Sequence, residues 1–254
     1  LRVLLTNDDG ISAEGLQVMA RDFLTFAETY VVAPDHEQSA TGHAITMHRP
    51  LRAEPMKFLH SPALSAWAVN GTPSDCVKLA VEAILPVKPD LVVSGINRGA
   101  NLGTDVLYSG TVSAAIEGVI LGIPAIAVSL AEYEEPHFEY ASDFVCRLSR
   151  VLFEKKPGSD MLLNINVPGC NRDMIKGISI TRLGVRQYKN AFEQRKDPRG
   201  RTYYWMAGEL VDTKEGDDTD AVAIKNCRIS VTPIHFDLTN YGLINNLKEW
   251  TITL

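Results

Sequence analysis

Short apolar runs that alternate with stretches of helical periodicity constrain this chain more than any other feature. Val3-Leu4-Leu5 is followed by a helical pattern from Ala13 to Phe26 and then by Tyr30-Val31-Val32-Ala33. Asp90-Leu91-Val92-Val93-Ser94 leads through a Gly- and Asn-rich loop to a helix from Thr111 to about Leu121 and on to Ala125-Ile126-Ala127-Val128. Such alternation is the signature of βαβ units. Strands that are apolar without interruption need cover on both faces, which a parallel sheet flanked by helices provides. The expected fold is therefore α/β, Rossmann-like and doubly wound around a mainly parallel sheet.

The remaining elements fit around that core. Leu51-Arg52-Ala53 and Ala66-Trp67-Ala68-Val69 read as antiparallel or edge strands. Thr72 and Pro73 occupy the preferred N-cap and first-turn places of a helix running to Leu85. A further helix spans His137 to Glu154 and a strand Met161 to Val167. After Pro168 the composition changes: residues 184–220 are charged, aromatic and irregular, with Asp197-Pro198-Arg199-Gly200 as a turn between two strand-like stretches. An aromatic hairpin buries little by itself, so this arm belongs against a partner subunit or folded back on its own domain. A late strand at Ile229–Ile234 and a helix at Leu238–Trp250 close the chain. Residues 1–168 are thus expected to form the catalytic core, and 169–254 an arm, strand and helix that complete the core and the oligomer interface.

With 254 residues the chain can fill a large core without disulfides or structural metals. A net charge of −6 and the lack of any Lys/Arg-rich run exclude a dedicated nucleic-acid or anionic-membrane binder. Cys76, Cys146, Cys170 and Cys227 form no CxxC pair and read as free thiols of a reducing compartment. No apolar span reaches transmembrane length.

Chemistry-bearing side chains gather at the carboxyl ends of three strands, where open α/β sheets place their sites. The first loop, Thr6-Asn7-Asp8-Asp9-Gly10, carries two adjacent carboxylates; the second carries Ser39 and the third Asn97. Asn-Asp-Asp-Gly alone is also what turns are made of. Neighbouring carboxylates repel when ionised, and this set of hard oxygen donors suits Mg²⁺ or Mn²⁺ with positions left for water and substrate. The third loop ends in Tyr108-Ser109-Gly110-Thr111 at a helix start, a place for phosphate, although a simple N-cap explains Ser109 or Thr111 equally well. The glycines match neither GxGxxG nor GxxxxGK[ST], which removes dinucleotide and P-loop readings. Metal opposite phosphate points to phosphomonoester hydrolysis, with Asp8 and Asp9 as the catalytic pair. Water attack is favoured over a covalent aspartyl-phosphate, because both carboxylates are needed to neutralise the ion. His36, His43 and His48 flank the second loop, either as proton donors or as structural loop histidines.

These pieces together closely resemble the survival protein SurE family of metal-dependent nucleotidases, nearly end to end. The resemblance rests on Thr6-Asn7-Asp8-Asp9-Gly10, Val31-Val32-Ala33-Pro34-Asp35, Gly71-Thr72-Pro73-Ser74-Asp75-Cys76, Val92-Val93-Ser94-Gly95-Ile96-Asn97, Tyr108-Ser109-Gly110-Thr111-Val112, Leu163-Asn164-Ile165-Asn166-Val167-Pro168 and Asp197-Pro198-Arg199-Gly200. It implies one divalent ion per subunit on Asp8, Asp9, Ser39 and Asn97, and a phosphate pocket of Asn101, Ser109, Gly110 and Thr111. It also implies hydrolysis of nucleoside 5′- and 3′-monophosphates, in some members short polyphosphate, by a cytoplasmic homodimer or homotetramer that exchanges C-terminal elements. At Thr219–Cys227 the chain departs from the family, which more often has a longer spacing and a Gly-Tyr pair before the late strand. The rival from another class is a non-catalytic nucleotide or polyphosphate sensor acting through its oligomeric arm.

Overall fold

The structure is a computed structural model that describes residues 1–58, 61–132, 134, 136–211 and 216–250, with the backbone alone at 61–63. In chain order its elements are β1 (Arg2–Thr6), α1 (Glu14–Phe23), β2 (Glu28–Pro34), β3 (Ala53–Phe58), β4 (Ser61–Val69), α2 (Pro73–Leu79), β5 (Leu91–Arg98), α3 (Gly110–Ile120), β6 (Ala125–Ala131), α4 (Phe138–Lys155) and β7 (Leu162–Pro168). The C-terminal part adds β8 (Ile178–Ile180), β9 (Gln187–Lys189), β10 (Phe192–Lys196), β11 (Thr202–Met206), β12 (Glu209–Val211), α5 (Asp220–Lys225), β13 (Ile229–Pro233) and α6 (Tyr241–Glu249).

One nine-stranded sheet runs β3-β4-β2-β1-β5-β6-β7-β13-β8. Strands β4, β2, β1, β5, β6 and β7 are mutually parallel, while β3 and β13 run antiparallel to β4 and β7. Connections leave β1 in one direction towards β2 and β4 and return to β5, so the winding reverses between β1 and β5. A doubly wound sheet opens its binding crevice at that switch point. Helices α1 and α4 cover one face and α2 and α3 the other. Successive residues of one strand therefore enter different cores: Leu5 packs with Leu16, Phe23 and Val145, Leu4 with Val77, Val92 and Val112. This is the physical reason the strands read as unbroken apolar runs.

The structure departs from the sequence expectations in four places. β4 pairs antiparallel with β3, as expected, but lies inside the sheet parallel to β2, and of the two only β3 is an edge. The helix from Pro73 keeps its Thr72 cap, with Thr72 and Asp75 forming a reciprocal capping box, but it continues from Ala80 to Ile84 as a π-helix. β5 does not end at Ser94. It bulges between Ser94 and Asn97 and rejoins β6 with Asn97 opposite Ser129. Gly95 permits this: its φ is +141°, and a Cβ there would stand 2.3 Å from the Val128 carbonyl oxygen. The short β8 and α5 were not anticipated. In the arm, Asp197 accepts from the Arg199 and Arg201 N–H groups at 2.8 Å and closes the β10–β11 turn, as expected of Asp197-Pro198-Arg199-Gly200.

Candidate active site

The loop after β1 is folded on itself and on its neighbour. Asn7 Nδ2 donates to the Gly10 carbonyl at 2.9 Å, and the Asp8 carbonyl accepts from the Gln38 N–H at 2.8 Å, which ties the first loop to the second. The Asp8 side chain points under the start of α3. Its Oδ1 accepts the Thr111 hydroxyl at 2.5 Å, and the Thr111 N–H is aimed at the same carboxylate. Helix N-termini favour an anion, and here the first anion held is the protein's own Asp8. Gly110 makes the approach possible, since a Cβ on it would lie 2.8 Å from Asp8 Cβ. Asp9, less buried, accepts from the Arg98 N–H at 3.2 Å across the β1/β5 crevice.

A cleft of about 560 Å³ opens at this end of the sheet, and Asp8, Asp9, Ser39, Asn97, Asn101 and Ser109 all line it. Gly110 and Thr111 stand behind Asp8 instead of on the cleft wall. Ser109 is the N-cap of α3, with its hydroxyl accepting from the Val112 N–H at 3.1 Å. Asn97 Nδ2 donates to the Gly99 carbonyl at 2.8 Å, an orientation that leaves the amide oxygen as the free acceptor. Asn101 is held by partners the sequence reading passed over. Its N–H donates to Asn166 Oδ1, its amide to Ser129 Oγ, and its carbonyl accepts from both Asn164 and Asn166. The signal was present in Asn164-Ile165-Asn166, where two amides share one face of a buried strand.

Glu37, Arg98, Asp105 and Tyr108 also line the cleft and were not singled out from the sequence. Glu37 accepts the Ser39 hydroxyl. Asp105 accepts from Arg186 Nε at 3.3 Å and from the Tyr188 hydroxyl at 2.5 Å, so the cleft wall reaches the root of the arm. Asp220, fully buried, fixes the same wall: it accepts from the Gly103 N–H at 2.7 Å and from the Gly184 N–H at 3.0 Å. His43 is spent elsewhere, against the buried Glu117 of α3 at 2.8 Å, with Lys78 also on Glu117 at 3.3 Å. His36 pairs with Asp35 and Gln38. Neither histidine lines the cleft.

The electrostatics ask for a cation. Burial raises the Asp8 carboxyl above its ordinary value, against the Thr111 bonds that lower it. Burial, and then the neighbouring Asp8 charge, push Asp9 up to about 6. Glu37 adds further repulsion to both. Thr6 Oγ1, Asn7 Oδ1 and Ser94 Oγ are buried at this end of the strands with no hydrogen-bond partner among the described residues, so the floor beneath the pair is polar as well. Among the described residues no three His, Cys, Asp or Glu side chains are grouped as a metal site requires. A cation would therefore draw on the Asn97 amide and Ser39 hydroxyl oxygens beside the two carboxylates, a donor set that suits a hard divalent ion.

Known proteins match this chain over nearly its full length. The family model for the survival protein SurE matches residues 3–190. A protein named 5′-nucleotidase SurE from Heliobacterium modesticaldum is 55% identical over 250 residues, covering 98% of this chain and 92% of that one. One of the same name from Carboxydothermus hydrogenoformans is 55% identical, covering 100% and 97%. The crystal structure of the SurE protein from Aquifex aeolicus superposes with a TM-score of 0.84 at 39% identity, covering 98% of both chains. The mostly parallel sheet, the motifs and these matches along the full length agree, and the chain belongs to the survival protein SurE family.

Proposed function

We propose that the protein is a divalent-metal-dependent phosphomonoesterase that hydrolyses nucleoside 5′- and 3′-monophosphates to nucleoside and phosphate. The observation that carries this reading is the meeting, at the β1/β5 switch point, of two carboxylates that burial and mutual repulsion make costly to ionise with the oxygen donors Asn97 and Ser39. The name 5′-nucleotidase, carried by relatives at 55% identity, agrees with it. Asp8, Asp9, Ser39 and Asn97 are the proposed ligands of one ion per subunit, Mg²⁺ or Mn²⁺. When bound, such an ion polarises the phosphoryl oxygens and lowers the pKa of water.

The chain's own groups divide the remaining work. Asn101 and Ser109 form the proposed phosphate side of the cleft wall, with Gly110 and Thr111, the start of α3, behind it. Asn101 is immobilised by Asn164, Asn166 and Ser129 and so presents a fixed dipole, which electrostatic catalysis requires. Asp8 and Asp9 are both spent as proposed ligands that neutralise the ion, and Oδ1 of Asp8 also accepts the Thr111 hydroxyl. Direct attack by water is therefore favoured over an aspartyl-phosphate. Short polyphosphate fits the same chemistry, since it too presents a terminal phosphoryl group.

The arm is the proposed oligomer contact of a homodimer or homotetramer. Phe192, Tyr204, Trp205 and Met206 are all exposed on it, as are Leu238 and Trp250 around α6. Exposed apolar side chains in this number suit burial against another copy. No described helix is long and apolar enough to cross a membrane, and the four cysteines are free thiols. Both observations suit the proposed cytoplasmic setting. Purified protein with Mn²⁺ or Mg²⁺ should release phosphate from nucleoside monophosphates. Tight nucleotide binding with no release under either metal would replace the enzyme by a nucleotide sensor.

A further inference from the structure

The cleft has a wall that phosphate chemistry does not use. The 3₁₀ turn Gly103–Leu107 carries Asp105 into the cleft and leads to Tyr108, which is 67% exposed there. Arg186 Nε and the Tyr188 hydroxyl both donate to one oxygen of Asp105, Oδ2, and no described residue donates to Oδ1. The turn itself is held: the Thr104 hydroxyl donates to the Arg186 carbonyl and accepts from its N–H, and Asp220 anchors Gly103. A carboxylate with one oxygen saturated and the other left to a cleft is an acceptor of fixed direction. It repels phosphate and selects donors.

We propose that Asp105 recognises the nucleoside half of the substrate, its Oδ1 accepting hydrogen bonds from the ribose hydroxyls. Arg186 and Tyr188 act as positioning residues that hold the carboxylate from the arm side. The inference rests on the nucleotidase reading. The sugar is its natural partner for two reasons. It lies between phosphate and base in every nucleotide, and its 2′,3′-hydroxyl pair is a donor set shared by all ribonucleoside 5′-monophosphates. The exposed Tyr108 ring offers a face to bases without distinguishing them.

The test compares three substrates: a ribonucleoside 5′-monophosphate, the 2′,3′-dideoxynucleotide that lacks both donors, and p-nitrophenyl phosphate, which has no sugar. For Asp105→Asn, the ratio of kcat/KM on the ribonucleotide to kcat/KM on p-nitrophenyl phosphate is expected to fall roughly tenfold to a hundredfold, the range for a hydrogen bond to a charged group. The wild-type preference for ribo over dideoxy substrate should collapse towards one in the same variant. Tyr188→Phe should move both ratios the same way by less. Equal losses on all substrates would mean that Asp105 only supports the fold, and unchanged ratios would mean that it does not touch the sugar; either overturns the inference alone. A wild-type protein that cleaves p-nitrophenyl phosphate and no nucleotide would instead overturn the nucleotidase reading beneath it.

Discussion

Thr111 shapes how Asp8 behaves, because its hydroxyl and N–H, together with the Asp8 N–H itself, offset the burial of that carboxylate. Thr111→Val keeps the shape and removes the hydroxyl. A hydrogen bond to a charged group is worth about 1.5–3 kcal/mol, so Mn²⁺ affinity, measured by calorimetry, should weaken about tenfold to a hundredfold. Asp8→Asn and Asp9→Asn each remove the charge of a proposed ligand while keeping its shape. Both should lose turnover by at least about a hundredfold with thermal stability retained, a magnitude typical of removing one electrostatic stabiliser; wild-type activity in both would move the site elsewhere. Asp9 also sets a pH signature. Its folded-state value of about 6 stands above the ordinary 3.8, so metal-free native protein holds a proton that the unfolded chain has released. The stability from that proton is full below 3.8 and is lost as pH rises through about 6. The Tm gain on adding Mn²⁺ should therefore be small near the bottom of that window and grow towards its top. A gain independent of pH would contradict the buried carboxylate pair. The proposed cation donors could be singled out in advance because each sits one loop beyond an apolar strand. Glu37 and Asp105 were not, because exposed acidic residues are common in loops and only the fold turns these two towards the same cleft.

Helix α2 shows how much an element can declare in advance. Thr72-Pro73 marks its start, and Asp75 returns the cap by accepting the Thr72 N–H at 2.9 Å while also accepting the Thr46 N–H at 2.9 Å. Thr72→Ala should cost about 1 kcal/mol, lowering Tm by roughly 2–4 °C in a chain of this size, with turnover retained because the element does not line the cleft. A drop in kcat without a drop in Tm would show a role beyond capping. The parallel strands other than β4 were equally readable, since burial on both faces leaves no polar alternation to confuse them. Their irregularities were not. The bulge at Gly95–Asn97 depends on how closely Val128 approaches, a distance no local pattern encodes. β8 has three residues and α5 six, too short for either periodicity to register.

Across the whole molecule, the arm stands out because its two-stranded pieces bury almost nothing: every residue of β10 and β11 is exposed. Isolated hairpins are marginal in water. Deleting Gln187–Trp205 should yield monomers by light scattering, and unchanged oligomers would refute the arm as the contact. Composition announced this segment, with its turn and its aromatic residues, but not that its root braces the cleft through Arg186 and Tyr188. That link joins residues some eighty positions apart and exists only once the sheet is assembled. The Asp220 carboxylate extends the same dependence in time. The two aspartates of the cleft are residues 8 and 9, whereas the carboxylate that secures Gly103 and Gly184 is residue 220. Synthesis at about 5–20 residues per second separates the two events by on the order of 10 s or more. A nascent or prematurely terminated chain thus carries its acidic pair without the secured cleft wall, and translation itself delays the moment at which the cleft is complete.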